Sequence, residues 1–419
     1  MSWNAVEVLP WQEPLAFAAP FAGNDMALLY SGLSEQFTGA DSYLLMNPVE
    51  VCEGSDWAQL PPLPKSGQPL PLWVGYLGYG MRDVAERGEK SPMSLPDFRL
   101  IRYATLYHFD HANRCITHYG DAPPPSANSA EQGILVRDLA SNLTRAEYER
   151  IIADTVSQIH GGQFYQANIT RKFFGSFSKK PDSYALFCKL AAASPAPYSA
   201  YIRHGESAIL SSSPECFLSI AANGVMTTRP IKGSARRSAA AAEDAVIAQA
   251  LCQSQKNHAE NLMIVDLMRN DLARVSAPES VKVIEQSALY SYATIHHLIS
   301  TIQAQKLAIV SAYDAVRACF PAGSMTGAPK IAAMKWCSGQ EKIERGVYSG
   351  AIGWFGASDN CDLSVVIRTL ILDDDRFEFQ VGGGIVADST PEDEWRETLV
   401  KARGICAALG IKESALEAL

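Results

Sequence analysis

Residues 198–231 spell two β-hairpins in succession. "YSAYIR" and "AILSSS" flank the turn "HGES", and "CFLSI" and "VMTTRPI" flank "AANG". Short apolar runs separated by Gly-containing turns of this length read as antiparallel pairs. Parallel neighbours would need a crossover of a dozen or more residues, which these turns cannot provide. Similar runs recur at both ends of the chain: "LLYSG" (28–32), "SYLLMN" (42–47), "WVGYLGYG" (73–80) and "RYATLYHFD" (102–110) early on, then 350–356, 362–372 and 376–382.

Helical signals fall between these sets rather than after every strand. "TRAEYERIIADTVSQIHGG" carries Thr144 and Glu147 at capping-box spacing, then apolar residues at helical intervals, then a Gly pair. Further helices are expected near 239–254, 257–270 and 311–319, from Pro329 onward, and over Pro391–Leu409, with a strand-like stretch at 280–302. Hairpin sets interspersed with helices indicate an α+β fold. "DAPPPSANSAEQG" reads as a linker. The expected organisation is therefore a β-rich region at 1–120, a linker at 121–143 and a second region at 144–415, the two packing as one unit.

Composition removes several classes of function. The net charge of −9 argues against broad binding to nucleic acid or anionic membrane. No lysine or arginine precedes Lys65, so the basic start of a signal peptide is missing, and no apolar run approaches a membrane span. The nine cysteines include no C-x-x-C pair, which fits a reduced, cytoplasmic protein without a zinc or disulfide framework.

Candidate chemistry centres on "TTRPIKGSARR" (227–237). An ordinary lysine has a pKa of about 10.4. Arg229, Arg236 and Arg237, together with burial, would lower that of Lys232 and expose a nucleophilic amine. Lys232 is expected just past a strand end, and the plain alternative is a solvated lysine in a basic turn. In the last expected helix, Glu394, Glu397 and Lys401 share one face, as a solvated charged stripe also would. Glu260 opens the apolar helix "NHAENLMIVDLMRND"; if the two helices converge, Glu260 and Glu397 make a hard-oxygen site suited to Mg²⁺.

"FPAGSMTGAPK" (320–330) leads small residues into a helix N-terminus that favours an anion. "QVGGGIVADS" reads as a Gly-rich turn, open to a carboxylate or simply a turn. Arg368 lies in the apolar run "LSVVIRTLIL", where it needs a carboxylate partner or an edge to solvent. If "YATIHHLIS" is a strand, His296 and His297 face opposite sides. Together these residues describe a Mg²⁺-dependent enzyme acting on a small, multiply anionic substrate.

Eight motifs occur in order over about 144–410: "SSSPECF", "RPIKGS", "NHAENLMIVDLMRND", "HHLIS", "GSMTGAPK", "VVIRT", "GGGIVADS" and "ETLVKAR". On these the sequence resembles the chorismate-utilising enzymes, which include anthranilate synthase component I, isochorismate and salicylate synthases and aminodeoxychorismate synthase component I. Over 1–120 the likeness rests on "ALLYSG" and "GYLGYG". The resemblance implies the anthranilate synthase component I-like fold, with large antiparallel sheets packed together and helices on the outside. It implies Mg²⁺ held by Glu260 and Glu397 with Glu394 nearby. The enolpyruvyl carboxylate of chorismate would lie against Tyr348, Arg368 and the backbone of Gly382, Gly383 and Gly384. Ser324, Lys401 and His297 become active-site residues, Lys401 serving the ring carboxylate.

Two positions separate the branches. Anthranilate synthases resemble this chain but read Pro-Ile-Ala-Gly where it has Pro-Ile-Lys-Gly, and the water-adding enzymes carry a lysine where Gln166 stands. The combination resembles the branch that forms 4-amino-4-deoxychorismate for p-aminobenzoate and folate synthesis, with Lys232 as nucleophile and Glu215 as acid. Anthranilate formation is the alternative. A pyridoxal-phosphate enzyme using Lys232, or a binding subunit that does not turn over, are the other readings. "PIKGS" and "SPEC" depart from the commoner family forms at Ser234 and Cys216. No cysteine lies in a G-x-C-x-G context, and the chain ends soon after the last motif. The expected source of ammonia is therefore a separate glutaminase subunit in a heterodimer, with lyase chemistry left to another enzyme.

Overall fold

The computed structural model describes residues 3–33, 41–83, 89, 93, 95–126, 134–292 and 295–419. Every ladder between its strands is antiparallel, as the consecutive hairpins require. From one end, the hairpin of Lys282–Ser291 and Ile295–Gln305 pairs through Val225–Arg229, Cys216–Ile220, Cys361–Val365 and Ala351–Gly356 to Pro71–Leu77. Phe98–Asp110 is the turning point, pairing with both Pro71–Leu77 and Ser42–Gly54. The ladder then returns through Met26–Tyr30, Tyr198–His204, Ser207–Ser213, Thr369–Asp373 and Arg376–Ile385 to Gln166–Phe177.

Three cores follow from this course. One holds only strand and loop residues, among them Leu45, Tyr76, Ile101, Ile202, Ile209 and Ile371, and lies between the two halves of the sheet. In the second, the helices Arg145–His160, Ser183–Ala193 and Pro391–Leu409 cover an outer face with Tyr148, Leu186 and Trp395. In the third, Gln255–Ala273 and Ala312–Cys319 cover the opposite half with Ile264, Met268 and Val316. Large antiparallel sheet surfaces thus pack together with helices outside, which is the α+β fold class read from the sequence. Among the described residues no helix is long and apolar enough to cross a membrane.

Local expectations hold at several ends and fail at others. Thr144 and Glu147 form the capping box of the first long helix. Pro329 is the N-cap of Lys330–Glu341 rather than its first residue. The expected linker lies partly outside the described residues, at 127–133, and its later part, Val136–Ser141, is a strand paired with Gln166–Phe177. The apolar run 362–372 is two strands, Cys361–Val365 and Thr369–Asp373, broken before Arg368. The three glycines 382–384 are no turn. They lie inside the strand Arg376–Ile385, opposite Thr170, Ile169 and Asn168.

Candidate active site

Two strand pairs cross from one half of the sheet to the other, and both are interrupted at the crossing. Ser207–Ser213 stops at Pro214, which has no N–H to give a ladder, and pairing resumes at Cys216. Opposite, Arg368 adopts a left-handed φ of 50°, uncommon for any residue but glycine. The breaks are stitched to each other: Val365 N–H donates to Glu215 O at 3.0 Å, and Ser212 N–H to Arg368 O at 3.2 Å. Glu215 and Arg368 therefore project from positions freed from the regular pleat.

The Glu215 side chain is buried, and burial pushes its pKa up to about 7 against the opposing pull of Ser324, Lys232 and Lys401. The Ser324 hydroxyl faces it closely enough to favour the carboxylate, though outside strict hydrogen-bond geometry. Arg368 is partly buried, its pKa lowered by that burial, and its guanidinium has no hydrogen-bond or carboxylate partner among the described residues. A desolvated guanidinium of this kind is suited to a ligand carboxylate.

Lys232 lies within a strand, Ile231–Arg236, and not past the end of one. Its strand pairs Ile231 with Ile299 and Ser234 with His297, so Lys232 and Gly233 together oppose the single residue Leu298. This is a β-bulge, made possible by Gly233 at φ 93°. The bulge re-aims the lysine across the fold, to where the far end of the sheet returns. A Cβ built on Gly384 would stand 3.0 Å from Lys232 Nζ and 2.7 Å from Gln166 Nε2. Burial lowers the Lys232 pKa, helped by Lys401 and opposed by Glu260, Glu215 and Glu397. The neighbouring arginines are not the cause. Arg237 is bound to Asp244 at 2.6 Å, Arg229 faces Tyr198 and Asp362, and Arg236 is exposed.

His297 and His296 do face opposite sides. His296 Nε2 meets Asp244 at 3.1 Å and its Nδ1 meets Ser291 Oγ at 2.7 Å. His297 pairs with Ser234 Oγ at 2.6 Å, and burial, with Arg368 and His296 nearby, holds its pKa down at about 3. It is a neutral ring at any working pH.

The glycine strand supports the other wall. A Cβ on Gly383 would meet Glu394 Oε2 at 2.5 Å and Glu397 Oε1 at 3.5 Å. Only bare backbone lets the helix Pro391–Leu409 bring its carboxylates so close. Glu394 accepts from Ser389 Oγ at 2.7 Å, while its Oε2 is buried with no partner. Burial and Glu397 raise the Glu394 pKa to about 7. Burial pushes Glu397 up too, but Lys401 at 2.6 Å more than offsets it. Lys401 also donates to Gly382 O at 2.7 Å.

Glu260 acts on Lys232 from the helix Gln255–Ala273. Among the described residues no three acidic, His or Cys side chains form a ready ligand cluster. An all-carboxylate set from two helices, with one buried oxygen unpartnered, nevertheless fits Mg²⁺, which takes one or two carboxylates and keeps positions for water and substrate.

Tyr348 and Gln166 complete the surroundings. Tyr348 is buried and its pKa raised by that burial, and both polar atoms of the Gln166 amide are buried without partners. Sequence reasoning did not single out Arg345. It bonds Glu341, Met325 O at 2.8 Å, Asn168 O at 2.7 Å and Ser349 Oγ at 3.2 Å, joining the Ser324 and Tyr348 segments. A Glu-x-x-x-Arg pair straddling a helix end was the available signal.

Residues 18–407 match the model of a family described as chorismate binding enzyme. Aminodeoxychorismate synthase component 1 of Salmonella typhimurium is 38% identical over 86% of this chain and 82% of its own length. The aminodeoxychorismate synthase of Streptomyces pristinaespiralis is 37% identical over 83% of this chain, which spans about half, 52%, of that relative. The solved anthranilate synthase component I of Streptococcus pneumoniae matches with a TM-score of 0.76 and 26% identity, covering 89% of this chain and 93% of that one. The chain belongs to the chorismate binding enzyme family.

Proposed function

We propose that this chain aminates chorismate at C4, giving 4-amino-4-deoxychorismate and water, with ammonia supplied by a glutaminase subunit in the cytoplasm. The observation that carries the reading is Lys232: a desolvated amine, aimed by a bulge at bare Gly384 backbone, within electrostatic reach of an acid whose pKa is about 7. The relatives named aminodeoxychorismate synthase support the same branch.

In this reading Arg368, Tyr348 and the Gly382–Gly384 backbone receive the enolpyruvyl carboxylate, and Lys401 the ring carboxylate. Glu260, Glu394 and Glu397 would hold Mg²⁺, which supplies positive charge to the ring carboxylate. Lys232 forms a bond to C2 while Glu215 protonates the C4 hydroxyl, which leaves as water as the two ring double bonds shift. Ammonia then bonds to C4, the double bonds shift back, and Lys232 leaves C2. Two allylic displacements replace one hard one. His297, neutral and hydrogen-bonded to Ser234, orients without adding charge.

The test incubates the purified chain with chorismate, Mg²⁺ and an ammonium salt and resolves the products by mass spectrometry, with and without an aminodeoxychorismate lyase. Lyase-dependent p-aminobenzoate is expected. Anthranilate or isochorismate as the main product would overturn the assignment of branch.

A further inference from the structure

Lys330 opens the helix Lys330–Glu341 at the end of the loop that carries Ser324. Its ammonium bonds Asp271 Oδ2 at 2.6 Å and the backbone oxygens of Cys319 and Pro321, both at 2.8 Å. A lysine has three N–H donors, and all three are taken. None remains for a substrate, so this lysine acts on the protein itself.

What it grips is the start of the segment that ends in the turn Gly323–Met325. Arg345 ties the far end through Met325 O at 2.8 Å. Between the two ties Gly323 is pressed onto the helix Gln255–Ala273, where a Cβ would come within 2.4 Å of Met268 Cε. Asp271, the acidic partner of Lys330, belongs to that same helix. It follows Glu260 by about three turns, so the two carboxylates leave the helix at nearly the same angle.

We propose that Lys330 is a positioning residue: it locks the Ser324 loop to the helix that carries Glu260, fixing the hydroxyl beside Glu215 and the direction of Glu260 in one ion pair. The inference rests on the reading of Ser324, Glu215 and Glu260 as site residues. Two observations separate it from a purely structural role. The ammonium bonds Pro321 O of the loop and Cys319 O at the end of the helix leading into it, as well as the acid, and the loop's Ser324 Oγ is buried facing Glu215.

The experiment is a mutant cycle. Removing Lys330 alone would strand Asp271 in the interior and threaten folding. The double variant Lys330→Met/Asp271→Leu therefore removes both charges and leaves no unpaired ion. It is combined with Ser324→Ala, and kcat/KM for chorismate is measured with the thermal midpoint of each protein. The expected result is a loss of about 100-fold in the double variant, the usual consequence of misplacement by about an ångström, without a comparable fall in the midpoint. Ser324→Ala should then add no more than about 3-fold, because residues acting through one another are not additive.

Equal factors for Ser324→Ala in both backgrounds would overturn the proposal, as would a loss that tracks unfolding. A wild-type chain that binds chorismate without turnover would count against the reaction instead. The same cycle is then read in chorismate affinity by calorimetry, where additivity again overturns the role of Lys330 and non-additivity supports it.

Discussion

The strand wall of the site and its helix wall are built by opposite rules. On the strand wall Glu215, Lys232 and Arg368 stand where regular pairing fails: after a proline, on a bulge and at a left-handed residue. On the helix wall Glu394, Glu397 and Lys401 stand where helical periodicity puts them, and Lys401 is already paired with Glu397. The two lysines make the contrast sharp. Both reach the same run of glycines, but Lys232 is desolvated while Lys401 spends its charge on Glu397 and Gly382 O. At broken pairing, burial shifts the Glu215 pKa up and those of Lys232 and Arg368 down. On the helix, Lys401 offsets the burial of Glu397, while Glu394 beside them stays raised to about 7. In the proposed reaction the strand wall carries the bond-making groups Glu215 and Lys232 beside the binding group Arg368, and the helix wall carries binding groups alone.

The largest effect should come from setting the two lysines against each other. Lys232→Ala is expected to lower kcat for chorismate amination on the order of a thousandfold, as loss of a nucleophile does, with chorismate affinity within a few-fold of wild type. Lys401→Ala should mainly raise KM, by about 10-fold, since a charge-assisted contact to a carboxylate is worth a few kcal/mol at most. Steady-state kinetics on both variants decides the matter. A Lys232→Ala enzyme that keeps its kcat would erase the distinction between the walls.

Glu215 gives a second test, in stability as well as rate. Its pKa in the folded chain is about 7 against a reference of 4.5, because burial disfavours the carboxylate. Below about 4.5 both folded and unfolded chains hold the proton, and nothing is lost. As pH rises from there to about 7, the unfolded chain releases it first, so folding stability falls, and above 7 the whole cost is present. That displacement is worth about 3 kcal/mol. Glu215→Gln should therefore be more stable than wild type by up to ~3 kcal/mol at alkaline pH and by almost nothing in acid, while losing the proton donor. Wild-type kcat/KM should decline as pH rises through about 7. Denaturant titrations at two pH values check the first claim; a stability gain independent of pH would show that Glu215 is not the strained acid.

How much of this is legible in the sequence follows the same division. Helical periodicity puts Glu394, Glu397 and Lys401 on one face, and the structure keeps them there. Hairpin turns give the antiparallel pairs, and Thr144 with Glu147 marks a helix start that forms as written. The strand wall is harder to read because a bulge or break shifts alternation by one residue, and which residue shifts depends on a partner strand far along the chain. Local reading therefore takes Arg368 as part of a continuous strand, the three glycines as a turn and Lys232 as lying past a strand end. It also names the neighbouring arginines beside burial as causes of the lowered lysine pKa. Burial is the cause that holds, and Gly384, which lies beside the amine, is in no local window with it. Lys330 and Arg345 escape notice for the same reason, since their value lies in the carbonyls they grip.

The smallest predicted effect belongs to the helix wall and tests whether its carboxylates serve a cation. Glu394 Oε2 is buried without a hydrogen-bond partner, an arrangement that costs stability unless something bound there uses the oxygen. Glu394→Gln should raise the Mg²⁺ concentration giving half-maximal activity by about 10-fold, the low end of what loss of a supporting carboxylate costs a metal site. It should also shrink the rise in thermal midpoint that Mg²⁺ gives the wild-type chain, a readout independent of turnover. Glu260→Gln, acting from the other helix, should do the same. Glu215→Gln, on the strand wall, should leave the Mg²⁺ response unchanged even as it removes activity. If instead Glu215→Gln moved the Mg²⁺ midpoint and Glu394→Gln did not, the cation would belong to the strand wall, and the division of labour between the two walls would have to be reversed.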